Sequence, residues 1–137
     1  MKSGLDDVRG LLVKAEHDLK TAEIGLQHAG PLDMVCFHLQ QAAEKLIKAV
    51  LSHHGITYPF THDLQELCQQ AREISWALSE FDDDLAAMTP YAVRMRYDEA
   101  IYPGEEETRA ALAIVRELRS LIHSLLPPEM LPRDSAR

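Results

Sequence analysis

Apolar residues recur along the chain at steps of three and four, the spacing of one face of an α-helix. The first run is Leu5, Val8, Leu12, Ala15, Leu19, Ala22 and Leu26, with mostly polar residues between, and Gly30-Pro31 stops it. So short a turn predicts that the next helix runs back antiparallel. That second helix spans about Leu32 to His53, with Val35, Leu39, Ala42, Ala43, Leu46 and Val50 on one side, Cys36 and Ile47 flanking them, and Gly55 just past the end. The stretch GITYPFTH reads as a loop. A third helix follows, capped by Thr61 or Asp63, with Leu64, Leu67, Cys68, Ala71 and Ile74 as its apolar positions.

Ser79 and Asp82 have capping-box spacing, and Asp82–Asp84 suit a helix N-terminus. Pro90 predicts a kink or restart through YAVRMRY, and IYPG a further loop. The last helix is expected from about Glu105 to Leu126, burying Ala111, Ile114, Leu118, Leu121, Ile122 and Leu125. Pro127-Pro128 ends it. No segment alternates like a strand. The expected fold is all-α: an antiparallel up-and-down bundle of four long helices plus a short or kinked one. Residues 1–126 form its single domain, and 127–137 a flexible tail. Leu12, Leu19, Leu39, Ala43, Leu46, Leu67, Ile114 and Leu118 are its expected core.

One helical face is not explained by this core. Phe37, Gln41, Glu44 and Lys48 follow at helical spacing opposite the apolar stripe of the second helix. Either they are a solvated face with a Glu44–Lys48 pair, or they form a second contact surface for a partner chain or ligand.

Composition narrows the chemistry. The 137 residues carry a net charge of −8, which argues against non-specific binding of duplex DNA and leaves only a local basic patch for phosphates. Two isolated cysteines suggest neither a disulfide framework nor a zinc site and fit a reducing cytoplasm. No signal region or membrane-length apolar run is evident. The seven histidines include no metal-ligating pair on a helix face, and no Gly-rich phosphate cradle occurs. No metal and no cofactor are expected.

The stretch FHLQQAAEKLIKAVL, preceded by AEHDLKTAE and followed by THDLQEL and the RY pair of TPYAVRMRY, resembles the HEPN domain (higher eukaryotes and prokaryotes nucleotide-binding). The resemblance runs from about Leu5 to Leu126. It implies a small helical bundle, often homodimeric, and commonly encoded beside a minimal nucleotidyltransferase in a toxin–antitoxin module. It also implies one of two activities. Some members are metal-independent ribonucleases built on Arg-x(4–6)-His at a cleft between protomers; others lack that motif and bind nucleotides or act as scaffolds. On this resemblance, Phe37, Gln41, Glu44 and Lys48 become candidates for a partner interface.

Arg94, Arg96 and Tyr97 become nucleotide- or phosphate-binding candidates. Arginine forks fit phosphates and a tyrosine can stack on a base, although Arg96 could equally pair with nearby acidic residues. Lys45 and Lys48 join them as phosphate ligands, or else are ion-pair partners. At the spacing of the motif histidine, Arg96 is followed by Ile101, Tyr102 and Pro103, and Arg94 by Glu99, Ala100 and Ile101. Arg116 and His123 do match Arg-x6-His, on the side expected to face away from the core with Arg109, and with Arg119 beside it. Such a pair could place a general acid or base against a bound phosphate. His38 and His62 read as structural. The favoured expectation is a non-catalytic or regulatory protein that binds nucleotide or substrate as the partner of a nucleotidyltransferase. The alternative is a ribonuclease toxin acting on RNA through Arg116 and His123.

Overall fold

In the computed structural model, which describes residues 4–93, 97 and 102–133, the expected helices appear in order. They are α1 (Gly4–Gln27), α2 (Leu32–His53), α3 (Leu64–Ala71), α4 (Asp82–Met88) and α5 (Glu105–Ser124), with 3-10 turns at Trp76–Phe81, Thr89–Tyr91 and Pro128–Met130. Among the described residues there is no strand. Among the described residues three helices, α1, α2 and α5, are long, and α3 stops after 8 residues.

The first turn works as the Gly-Pro signal predicts, with one departure. Gly30 N–H donates to Gly25 C=O at 2.6 Å, and the left-handed residue that allows this closure is Ala29, at φ 56°. Gly25 is fixed for another reason: a Cβ there would lie 2.7 Å from Cγ2 of Val35, so its absence lets α1 and α2 pack closely. Asp63 caps α3, its carboxylate accepting from Gln65 N–H at 3.1 Å and Glu66 N–H at 3.2 Å. Ser79 does not cap α4. Its hydroxyl donates to Trp76 C=O at 2.6 Å inside a 3-10 turn, because the chain tightens there before the helix starts. Pro90 sits in the 3-10 turn that ends α4, where the kink was expected.

Helix α2 is the axis of the protein. It packs against α1, α3, α4 and α5. Its buried residues consequently extend beyond one stripe to include Gln40, Glu44, Ala49 and Leu51. Of the expected core, Leu12, Leu19, Leu39, Ala43, Leu46, Leu67 and Leu118 are buried, while Ile114 is only partly so. The buried stripe of α5 is Thr108, Ala111, Leu112, Val115, Leu118 and Ile122; Ile114, Leu121 and Leu125 lie at its edge. The stripe turned because Thr108, a polar residue, can be buried. Its hydroxyl donates to Gly104 C=O at 2.8 Å and lies 3.3 Å from the Cys36 sulfur. Residues 129–131 lie on the body: Arg9 donates to Glu129 C=O at 3.1 Å, and Met130 and Leu131 pack against the core.

Candidate functional site

Three places hold the residues that the sequence singles out. The first is the face of α2 that begins at Phe37. It is not a solvated face. Glu44 is 4 % exposed and is the centre of a hydrogen-bonded cluster. One carboxylate oxygen accepts from Gln40 at 3.3 Å and lies 2.8 Å from His62 Nδ1; the other accepts from Lys48 Nζ at 3.0 Å. Gln40, fully buried, also donates to His62 C=O at 3.0 Å and accepts from Gln41 at 2.7 Å. Lys48 Nζ stands 5.4 Å from the Tyr58 ring and 5.9 Å from the Phe60 ring. The cluster straps the loop before α3 onto α2.

A second cluster beside it ties α1 to α2. Asp18 accepts from Lys45 Nζ at 2.5 Å and lies 2.9 Å from His38 Nδ1. Phe37 is half-buried, with its ring edge against His38 at 5.3 Å. Lys45 and Lys48 are ion-paired in this structure, and His38 and His62 each lie against a carboxylate, of Asp18 and Glu44.

The second place is the segment around Tyr97. Arg94 and Arg96 lie outside the described residues; Tyr97 is 81 % exposed. Two tyrosines on either side of it in the chain, Tyr91 and Tyr102, make hydrogen bonds. On one side the Tyr91 hydroxyl donates to the Glu107 carboxylate, and burial first, then that carboxylate, push the phenol's pKa up. On the other, the Tyr102 hydroxyl accepts from Leu32 N–H at 3.1 Å, at the start of α2.

The third place is a groove of about 1030 Å³ between α1 and α5. The two helices run antiparallel and scarcely touch. Arg116 reaches across it to Glu23, and Arg119 to Glu16, while Arg109 pairs with Glu105 on its own helix at 3.0 Å. His123 does not face away from the core as its spacing from Arg116 suggested. Its side chain is 13 % exposed, because α1 approaches at Glu16, whose carboxylate is 4.0 Å from Nε2. Nε2 is buried without a hydrogen-bond partner. Burial and the neighbouring Arg119 charge lower the His123 pKa, and Glu16 only partly opposes them. Arg116 stands in the open groove, whereas His123 is largely covered and does not line it.

Cys36 and Cys68 are buried and free. Burial raises both thiols, Cys68 to about 12, so neither is a nucleophile in waiting. Among the described residues no group of three or more side chains could hold a metal ion, and no helix is long and apolar enough to cross a membrane.

The family model of the HEPN domain matches residues 8–125. The chain belongs to the HEPN family. Two solved structures share its fold. One is TT1696 from Thermus thermophilus, 22 % identical, with a TM-score of 0.75 over 87 % of this chain and 98 % of that one. The other is ST0689, an archaeal HEPN homologue, 20 % identical, with a TM-score of 0.68 over 90 % of this chain and 98 % of that one. No curated protein matches the chain.

For a HEPN domain, the site residues divide unevenly. The QQAAEK stretch that carried the resemblance proves to be a structural seam, with Gln40, Glu44 and Lys45 joining α2 to its neighbours. Sequence reasoning missed Asp18 and Gln40, which read as ordinary polar positions of amphipathic helices. It also missed the α1–α5 groove. Glu16 and Glu23 share a face of α1 at a spacing of seven, but only the topology sets that face against Arg116 and Arg119.

Proposed function

We propose that this HEPN protein is a non-catalytic or regulatory member that binds nucleotide or substrate as the partner of a minimal nucleotidyltransferase, in a cytoplasmic module of the toxin–antitoxin type. The observation that supports the first half of this reading is the cover over His123. The imidazole is largely covered, its Nε2 is buried without a partner, and its pKa is lowered. A general acid or base has to reach the proton it transfers, directly or through one water. No histidine follows Arg94 or Arg96 at the motif spacing.

The nucleotide contact is assigned to Arg94, Arg96 and Tyr97, in a segment between the hydrogen-bonded Tyr91 and Tyr102. An exposed tyrosine offers a stacking face, and arginine forks suit phosphates. The resemblance supports the partner subunit and a homodimer. A face including Phe37, Gln41 and Lys48, each only half-buried, is the proposed contact.

Purified protein, incubated with labelled single-stranded RNA and a chelator, is expected to leave the RNA intact, and His123→Ala to change nothing. Titration calorimetry with nucleoside triphosphates should show binding that Arg96→Ala weakens by about 1.5–3 kcal/mol. Metal-independent cleavage lost in His123→Ala would reverse the reading in favour of the ribonuclease. Sedimentation alone and with the co-encoded subunit tests association; a strict monomer that ignores the subunit removes that part.

A further inference from the structure

The slot between α1 and α5 is unfinished in a specific way. Both helices lean on α2, and the opposite side of α2 is covered by α3 and α4, but nothing among the described residues fills the gap between α1 and α5. The slot runs along α5 from Arg109 to Ser120 and along α1 from Glu16 to Gln27. At 1.5 Å per residue each wall is about 16 Å long, or three helical turns. Its floor is aliphatic, with Leu19 and Leu112, and Ile24 stands 49 % exposed on the α1 lip.

The charge of the slot is opposite to that of the chain. Arg109, Arg116, Arg119 and Lys20 line it against Glu16 and Glu23, in a protein of net charge −8. Lys20 makes no ion pair among the described residues, and Arg116 gives one of its guanidinium N–H groups to Glu23. Glu23 therefore holds Arg116 in position without exhausting its donors.

We propose that this slot receives an acidic amphipathic helix of another protein. Such a helix would lay its apolar stripe on Leu19, Ile24 and Leu112 and its flanking carboxylates on Lys20 and Arg116, completing a four-helix arrangement around the axis of α2. A second copy of this chain fits less well, since a two-fold contact through this face would bring two surfaces of the same net positive charge together. Single-stranded nucleic acid fits less well too: no Phe, Tyr or Trp lines the slot to stack a base. The proposal does not depend on the nucleotide reading above, which concerns Arg94, Arg96 and Tyr97.

The probe is a fluorescent helical peptide of about five turns. It carries leucines at i, i+3, i+4 and i+7 on one face and glutamates on either side. The controls are the same peptide with lysines for glutamates, a scrambled sequence, and a short single-stranded RNA. The acidic peptide is expected to bind, more weakly as salt rises, and to shift amide NMR signals of residues 16–27 and 109–120. Ile24→Glu and Lys20→Glu should each weaken it by about tenfold or more, equivalent to about 1.4 kcal/mol. Both positions are exposed, so thermal unfolding should not change. Several outcomes overturn the proposal: no binding, equal binding of the lysine or scrambled peptide, or NMR shifts elsewhere. RNA binding that Lys20→Glu abolishes, or a homodimer that Ile24→Glu dissociates, gives the slot to another occupant and overturns it as well.

Discussion

The Glu44 cluster and the α1–α5 groove are made of the same kinds of residue and do opposite things. Both set carboxylates against cations across a helix contact. At Glu44 the charge is enclosed: the carboxylate is 4 % exposed and reached by Gln40, Lys48 and His62. In the groove the Arg116–Glu23 pair stands open, with side chains 54 % and 39 % exposed. What separates the two is cover. Loop and helix close over Glu44, whereas nothing among the described residues closes over Arg116. A charge on a helix is structural where its neighbours remove water, and available for binding where they do not.

The contrast breaks first at Glu44. Removing one partner of an enclosed charge cluster leaves the others unsatisfied, and Lys48 and His62 keep some solvent, which places the cost near the lower end for buried pairs. Glu44→Ala is expected to lower stability by about 3 kcal/mol. That is comparable with Leu46→Ala in the core, expected at about 2–5 kcal/mol. Urea unfolding of the two variants gives the comparison directly. A Glu44→Ala loss below about 0.5 kcal/mol, the size of an exposed pair, would erase the distinction.

His123 tests the effect of cover. Its folded pKa is lowered, so below its unfolded value near 6.5 the unfolded chain takes up the proton more readily. The native state is therefore favoured above pH 6.5, and that contribution is lost as pH falls through the folded pKa. His123→Asn should flatten the acid side of the stability profile relative to wild type, with urea midpoints at pH 5 and pH 8 as the readout. An unchanged profile would mean that the imidazole is as solvated as Arg116. The smallest effect belongs to Arg116→Ala, expected to cost about 0.5 kcal/mol or less because water replaces the lost partner of Glu23. A larger loss would move the groove pair into the class of Glu44.

Much of the architecture was legible in the sequence. The stripe from Val8 to Ala22, the apolar side of α2 and the Asp63 cap are local patterns, and each carries its own physical cause. The α5 stripe was read off by a fraction of a turn, since a pattern of hydrophobic letters cannot show that Thr108 will be buried with its hydroxyl satisfied. Glu44 was harder still. A Glu and a Lys four apart read as a solvated pair in any helix, and the difference here comes from His62, eighteen residues away. Arg116 and His123 do lie at matching angles around α5. Periodicity gives angle but not cover, and the approach of α1 at Glu16 decides the second.

The close crossing of α1 and α2 at Gly25 also bears on the order in which the protein folds. These two helices are joined by a short turn and share the most extensive contact in the molecule, so their pairing demands little loop closure. Local contacts of that kind form early. A side chain at Gly25 would collide with Val35 before the rest of the chain is in place. Gly25→Ala should therefore slow refolding more than it speeds unfolding, the signature of a position already packed in the transition state. Stopped-flow chevrons would show it as a lowered folding limb over a nearly unmoved unfolding limb, and the reverse pattern would place the hairpin late.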